Sequence, residues 1–213
     1  ATEAEGPGQR RRAAMAHDPA RGRTVLYGGT DVLGNRLADT WEWDGRSWNR
    51  IVPDGPTPGD RAGHAMTWDA ARRRVVLAGG GPLPNDGDLD LWTWDGTEWR
   101  EAMPSGELPP DRRDLAMTFD TLRNQVLVYG GDGAGAGPLG DLWAWDGTGW
   151  TEQVPAEGLA PSPRPGATLV YDEDRDRVVL FGGTSNAVPI PDGRQIWEWD
   201  PGDRRWIDVQ PAD

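Results

Sequence analysis

The chain has 213 residues with a formal net charge of −13, 13 Trp, 30 Gly, 19 Pro and no Cys, and all 22 of its basic residues are Arg. Without Cys there is no disulfide, thiolate nucleophile, iron–sulfur cluster or zinc ribbon, and without Lys there is no Schiff base or P-loop lysine. His17 and His64 are too few for a three-histidine metal site, the acidic balance argues against nucleic-acid binding, and no apolar run approaches the ~20 residues of a membrane helix.

The abundance of Trp alongside Gly and Pro describes a turn-rich chain with large anchors to bury, not a disordered one. The sequence opens at Ala1 with neither Met nor a signal peptide, so a processed or excised piece is expected.

A repeat organises the whole chain. Gly-Gly pairs begin at Gly28, Gly79, Gly130 and Gly182, at spacings of 51, 51 and 52, and Trp-x-Trp-Asp runs begin at Trp41, Trp92, Trp143 and Trp197. Arg recurs at Arg10, Arg61, Arg112 and Arg164, Asp at Asp18, Asp69, Asp120 and Asp172, and a closing Trp at Trp48, Trp99, Trp150 and Trp206.

In chain order, each unit predicts four short strands. The first is Ala14 to His17 and its partners Ala65 to Trp68, Ala116 to Phe119 and Thr168 to Tyr171. Each ends at the repeated Asp, with Arg21, Arg72, Arg123 or Arg175 three residues on, a spacing that suits a hairpin whose carboxylate caps the turn amides. The second is an apolar run such as Arg74 to Ala78, stopped by Gly-Gly, and its continuity means that both faces are covered. The third, Asp90 to Trp94 in the second unit, puts both Trp on one face. Asp-Gly then turns the chain at Asp44, Asp95 and Asp146, and the fourth strand runs from the closing Trp towards Pro53, Pro104 or Pro155. A lone sheet with Trp on one face cannot hide it from water, so each unit needs neighbours; one such aromatic buries roughly 150–250 Å².

A period near 50, Arg before strand one, Gly-Gly after strand two and an aromatic with a later Trp resemble kelch repeats. The resemblance covers about Arg10 to Trp206. It implies an all-β fold, a β-propeller of four-stranded antiparallel blades, with repeats at about 10–52, 61–103, 112–154 and 164–209 in a single propeller or propeller segment spanning residues 1–213. The Trp-x-Trp-Asp-Gly-x-x-Trp variant is similar to kelch-like propellers of bacterial proteins and to the galactose oxidase-like central domains. Repeat four departs: Gln195 replaces the Asp of Asp39, Asp90 and Asp141, and Asp200-Pro201-Gly202-Asp203 replaces Asp-Gly. Four units are fewer than the roughly six or seven usual in kelch propellers. The chain is therefore expected to be an arc of a longer propeller, a unit that closes by homodimerising, or a small closed ring.

In the kelch topology Arg10, Arg61, Arg112 and Arg164 ring the mouth of the central channel. Kelch substrate-adaptor proteins place Arg at this motif position to hold acidic peptides, and converging guanidiniums capture carboxylates bidentately. The competing role is a strut to a nearby carboxylate or carbonyl, which repetition in every unit favours. Recognition is also expected in the variable loops after Gly-Gly, namely Thr30 to Ala38, Gly81 to Leu89, Asp132 to Gly140 and Thr184 to Arg194.

Asn85 to Asp90 clusters three carboxylates, but Leu91 and Thr97 stand where an EF-hand needs Gly and Glu, so a solvated loop is expected. Gly131 to Ala136 fits the letters of a dinucleotide fingerprint, yet Gly137-Pro138 follows instead of a helix. Kelch-type copper oxidases need the absent Cys. A mutarotase-like sugar isomerase stays as the enzymatic alternative, and a purely structural segment as another. His17 and His64 occupy different repeat positions and are expected at strand ends, not in catalysis. The sequence thus predicts a binding or scaffold module for a polar or acidic peptide or a carbohydrate, with no catalytic residue assigned. No cofactor, metal, nucleic acid or membrane insertion is expected. An extracellular or periplasmic location is favoured over the cytoplasm.

Overall fold

Each repeat folds into one antiparallel sheet whose strands pair in chain order. In this computed structural model the described residues are 6–81, 89–133, 135–184 and 196–209. The first sheet holds β1 (Ala14–Asp18), β2 (Arg23–Tyr27), β3 (Thr40–Trp43) and β4 (Trp48–Ile51), and the second β5 (Ala65–Asp69), β6 (Arg74–Ala78), β7 (Leu91–Trp94) and β8 (Trp99–Ala102). The third holds β9 (Arg112–Arg113), β10 (Ala116–Asp120), β11 (Gln125–Gly133), β12 (Gly137–Trp145) and β13 (Trp150–Glu152). The fourth holds β14 (Ala167–Asp172), β15 (Arg177–Gly182), β16 (Ile196–Asp200) and β17 (Arg205–Asp208).

Both turn types of the repeat are closed by an Asp side chain. In the first, Oδ1 of Asp18, Asp69, Asp120 and Asp172 accepts the backbone N–H three residues on, and Oδ2 pairs with that residue's guanidinium. In the second, Oδ1 of Asp44, Asp95, Asp146 and Asp200 accepts the N–H groups two and three residues on. A carboxylate holding the turn amides fixes strand register, because it sets which residues face each other across the hairpin.

The sheets pack face to face as blades, and the core is divided among their interfaces. One apolar cluster joins the first and second blades through Val25, Tyr27, Trp94 and Trp99. Another joins the second and third through Val76, Leu91, Trp145 and Trp150, and another the third and fourth through Leu127, Tyr129, Trp199 and Trp206. In each case the Trp pair of one blade lies on the preceding blade. β6 and β11 are covered on both faces, as their unbroken apolar runs require.

The third blade departs from the expected pattern. Gly130-Gly131 does not end the second strand there; β11 runs on to Gly133 and pairs with β12 through Asp132↔Pro138 and Gly133↔Gly137, with a register shift between Tyr129 and Gly131. The segment expected as the loop Asp132 to Gly140 is thus largely a two-stranded ribbon. The two-residue β9 pairs with its far end, and Arg113 makes an ion pair of 2.7 Å with Asp132.

Candidate functional site

The recurring letters of the repeat assemble into one device at the start of each blade. Arg10 grips Asp39 with two hydrogen bonds of 2.7 and 3.0 Å and also donates to the Gly28 carbonyl at 3.0 Å. Arg61 does the same with Asp90 and Gly79, and Arg112 with Asp141 and Gly130. The indole N–H of Trp41, Trp92 or Trp143 donates to the same aspartate. Burial works against ionisation of Asp39 and Asp141, but the Arg forks and the indole donors outweigh it and hold both carboxyls below their ordinary range. Arg164 donates to the Gly182 carbonyl at 3.2 Å and to Ser162 Oγ at 2.9 Å. Gln195, which takes the aspartate's place there, lies outside the described residues.

The second glycine of the first three pairs links blades. The N–H of Gly29 donates to the Arg61 carbonyl at 2.8 Å, that of Gly80 to Arg112 at 3.0 Å, and that of Gly131 to Arg164 at 3.2 Å. Two residues beyond each motif Arg a further chain of bonds runs from blade to blade: Gly63 N–H to Arg12 O, Asp114 N–H to Gly63 O, and Gly166 N–H to Asp114 O, at 2.9, 2.6 and 2.7 Å. All four residues have positive φ, including Arg12 at 57° and Asp114 at 54°. Gly63 carries no side chain, and over it Arg12 and Asp114 close a two-bond ion pair that ties the first blade to the third.

These contacts were not foreseen from the sequence. The signal was present as opposite charges at one motif position two repeats apart, but pairing them needs the rotation between blades. The constant separation of 29 residues between each motif Arg and its Asp was also readable.

The side chains of Arg61 and Arg112 are 2% and 0% exposed, and that of Arg10 is 9% exposed. Beside it is a cleft of about 330 Å³ lined by Gln9, Arg10, Arg11, Thr30, Asp31 and Val32. Arg11 is exposed there, and its guanidinium has no ion-pair partner among the described residues. The loop after the first Gly-Gly is tied to this segment by the Arg11↔Thr30 bridge, so loop and Arg share a face.

His17 is exposed at the end of β1, with Nδ1 3.2 Å from Thr24 Oγ1. His64 is buried edge-on against Tyr27, and burial with the nearby Arg61 charge holds its pKa down at about 3, so it is neutral at pH 7. Of the acidic cluster, Asn85 to Asp88 lie outside the described residues, and Asp90 is engaged by Arg61. Gly131 to Gly133 continue β11.

The KLHDC2/KLHL20/DRC7 Kelch-repeats domain family matches residues 70–213. The chain belongs to the kelch-repeat family. It is 29% identical over 182 residues to the F-box/kelch-repeat protein At1g51550 of Arabidopsis thaliana, which covers 75% of this chain and 37% of that protein. It is 38% identical over 79 residues to dynein regulatory complex subunit 7 of Chlamydomonas reinhardtii, which covers 37% of this chain and 7% of that protein. The kelch chain therefore spans well under half the length of these curated relatives. Among solved structures, that of YjhT superimposes with a TM-score of 0.66 at 14% identity, covering 98% of this chain and 67% of that one; this likeness concerns the fold. In kelch terms, the motif Arg, Gly-Gly, Asp and Trp are here one hydrogen-bonded unit. The kelch propeller fold supports a binding or scaffold module in general.

Proposed function

We propose that this kelch arc is a recognition module that holds a polar or acidic peptide, or a carbohydrate, on the face carrying the motif arginines and the loops after Gly-Gly. The observation that carries this reading is the exposed guanidinium of Arg11, which has no ion-pair partner among the described residues, at the cleft beside Arg10. A free guanidinium beside hydroxyl, amide and carboxylate groups suits bidentate capture of a carboxylate or of vicinal hydroxyls. Within the Arg ring, the reading gives Arg10 the edge of the cleft and makes Arg61, Arg112 and Arg164 the struts that hold the face rigid. What supports the division is the engagement of Arg61 and Arg112 with their own aspartates.

Peptide and glycan arrays, followed by titration of the best ligand, test it. Arg11→Ala is expected to weaken binding at least tenfold with unchanged thermal stability. Binding indifferent to Arg11→Ala but lost in a folded Arg61→Lys variant would return the site to the ring itself. Exchange of sugar anomers followed by NMR would make the module an isomerase.

A further inference from the structure

The two ends of the blade row carry the two halves of one repeated contact. At each internal junction, the face a blade turns to its successor is buried: Val25 and Tyr27 in the first blade, Ala78 and Leu91 in the second, Leu127 and Tyr129 in the third. On the fourth blade Phe181, at the position of Tyr27 and Tyr129, is 50% exposed, and Val170, paired with Val179 on the same face and at the position of the buried Ala16, is 55% exposed. The face turned to a predecessor shows the converse. Trp94 and Trp99, Trp145 and Trp150, and Trp199 and Trp206 are all buried, whereas Trp43 and Trp48 of the first blade are only half-buried and Met15 is 57% exposed.

The polar parts of the junction are divided in the same way. Between the first two blades, Glu42 accepts a hydrogen bond of 2.9 Å from the indole N–H of Trp94 and another of 2.7 Å from Arg21. Arg21 lies over Gly96, where a Cβ would fall 2.6 Å from its Cζ. The fourth blade rebuilds the acceptor side: Glu198 takes a hydrogen bond of 2.8 Å from Arg175, which also holds Asp172 as Arg21 holds Asp18. The second and third blades have Thr93 and Ala144 at the glutamate's position. The donor side lies on the first blade, where Trp43 stands at the position of Trp94, and Gly45, the counterpart of Gly96, has nothing within 4 Å. Gly182 is equally open, whereas a Cβ on Gly28 would meet the Arg61 carbonyl of the next blade at 2.7 Å.

We propose that the exposed face of β14, β15 and β16 docks the tryptophan face of the first blade of a second copy of this chain, so that copies join head to tail. Glu198 accepts the indole N–H of Trp43, Phe181 and Val170 cover the Trp43–Trp48 pair, and Arg175 lies over Gly45. A second copy is the occupant because both halves are carried by one chain in the sense that its own blades already use. The contact is heterologous, so each copy keeps one free face unless the row closes. The net charge of −13 opposes association, so added salt strengthens it.

Sedimentation velocity tests this with two exposed positions that leave the blades intact. The wild-type mass is expected to rise with concentration. Phe181→Arg spoils only the accepting face and Met15→Arg only the donating face, so each variant alone stays at the monomer mass of 23.3 kDa. An equimolar mixture of the two gives a dimer and nothing larger, because one intact face of each kind remains. Glu198→Ala, with Phe181 unchanged, weakens wild-type association about tenfold. A wild-type chain monomeric at every concentration overturns the proposal and leaves the face to another occupant, such as a further blade. Self-association that survives both arginine substitutions, or a mixture that stays monomeric, overturns it as well.

Discussion

Arg112 joins three parts of the third blade with one side chain: the incoming strand β9, the carbonyl of Gly130 within β11 and Asp141 on β12. Truncation to Ala would leave Asp141 with the Trp143 indole but no counter-charge, and the Gly130 carbonyl without the guanidinium donor, and removing one partner of such a pair costs about 3 kcal/mol or more. Urea denaturation is expected to show that loss for Arg112→Ala and little recovery for Arg112→Lys, because an ammonium cannot reproduce the fork. Arg175→Ala is the control: its side chain is 55% exposed, and pairs of that kind contribute within about 1 kcal/mol. His64 gives the chain a separate acid sensitivity. Unfolded, it takes up a proton below pH ~6.5, whereas burial delays this in the folded state to about 3. Between those values the unfolded state binds more protons, so stability falls as pH falls, by up to about 1.4 kcal/mol per pH unit. Asp95 and Asp176, held near 2, act only below the ordinary carboxylate range. The window between neutral pH and pH ~5 therefore isolates His64 from them, and His64→Leu should flatten the urea midpoint there relative to wild type. An unchanged slope would mean that the imidazole is solvated.

At the scale of elements, the junction between blades rests on close approach of backbone to backbone. Gly79 and Gly182 occupy the same repeat position with φ of +70° and +72°, but a Cβ on Gly79 would fall on the Arg112 carbonyl, whereas Gly182 has nothing within 4 Å. Ala at either site meets the same left-handed strain, about 1–2 kcal/mol. Only Gly79→Ala must also push two blades apart, so it is expected to cost several kcal/mol more in urea unfolding. Equal losses would show that strain, not contact, fixes the glycine. This level also marks how far the sequence could be read. The turn-capping aspartates and the doubly covered strand Val75-Val76-Leu77 were legible because each depends on residues a few positions apart. The β11–β12 ribbon was not, since Gly131 and Gly133 give no side-chain alternation and its outer support comes from Arg113. Arg12 and Asp114 were beyond reach for a different reason: they are 102 residues apart and meet only because Gly63 leaves room between them. The motif arginines stand at the blade starts, and their partners at Asp39, Asp90 and Asp141 become visible only once the sheets are assembled.

For the whole molecule, stability should follow a one-dimensional rule, in which each blade is held by its own sheet and by the neighbours on either side. The second and third blades are covered on both faces by the three apolar clusters, and the first and fourth on one face each. Opening an end blade breaks one interface, whereas opening a middle blade breaks two, so local openings should be far more frequent at the ends. Amide exchange on dilute protein is expected to be slowest at Val76 and Leu77 of β6 and at Val126 to Val128 of β11. It should be markedly faster at Val179 and Phe181 of β15, whose side chains face outward from the row. The same measurement at high concentration adds a second reading, because a docked copy would cover β15 and slow Val179 and Phe181 while leaving β6 unchanged. Uniform protection across all four blades at low concentration would contradict nearest-neighbour stability and mean that the four blades unfold as a single unit.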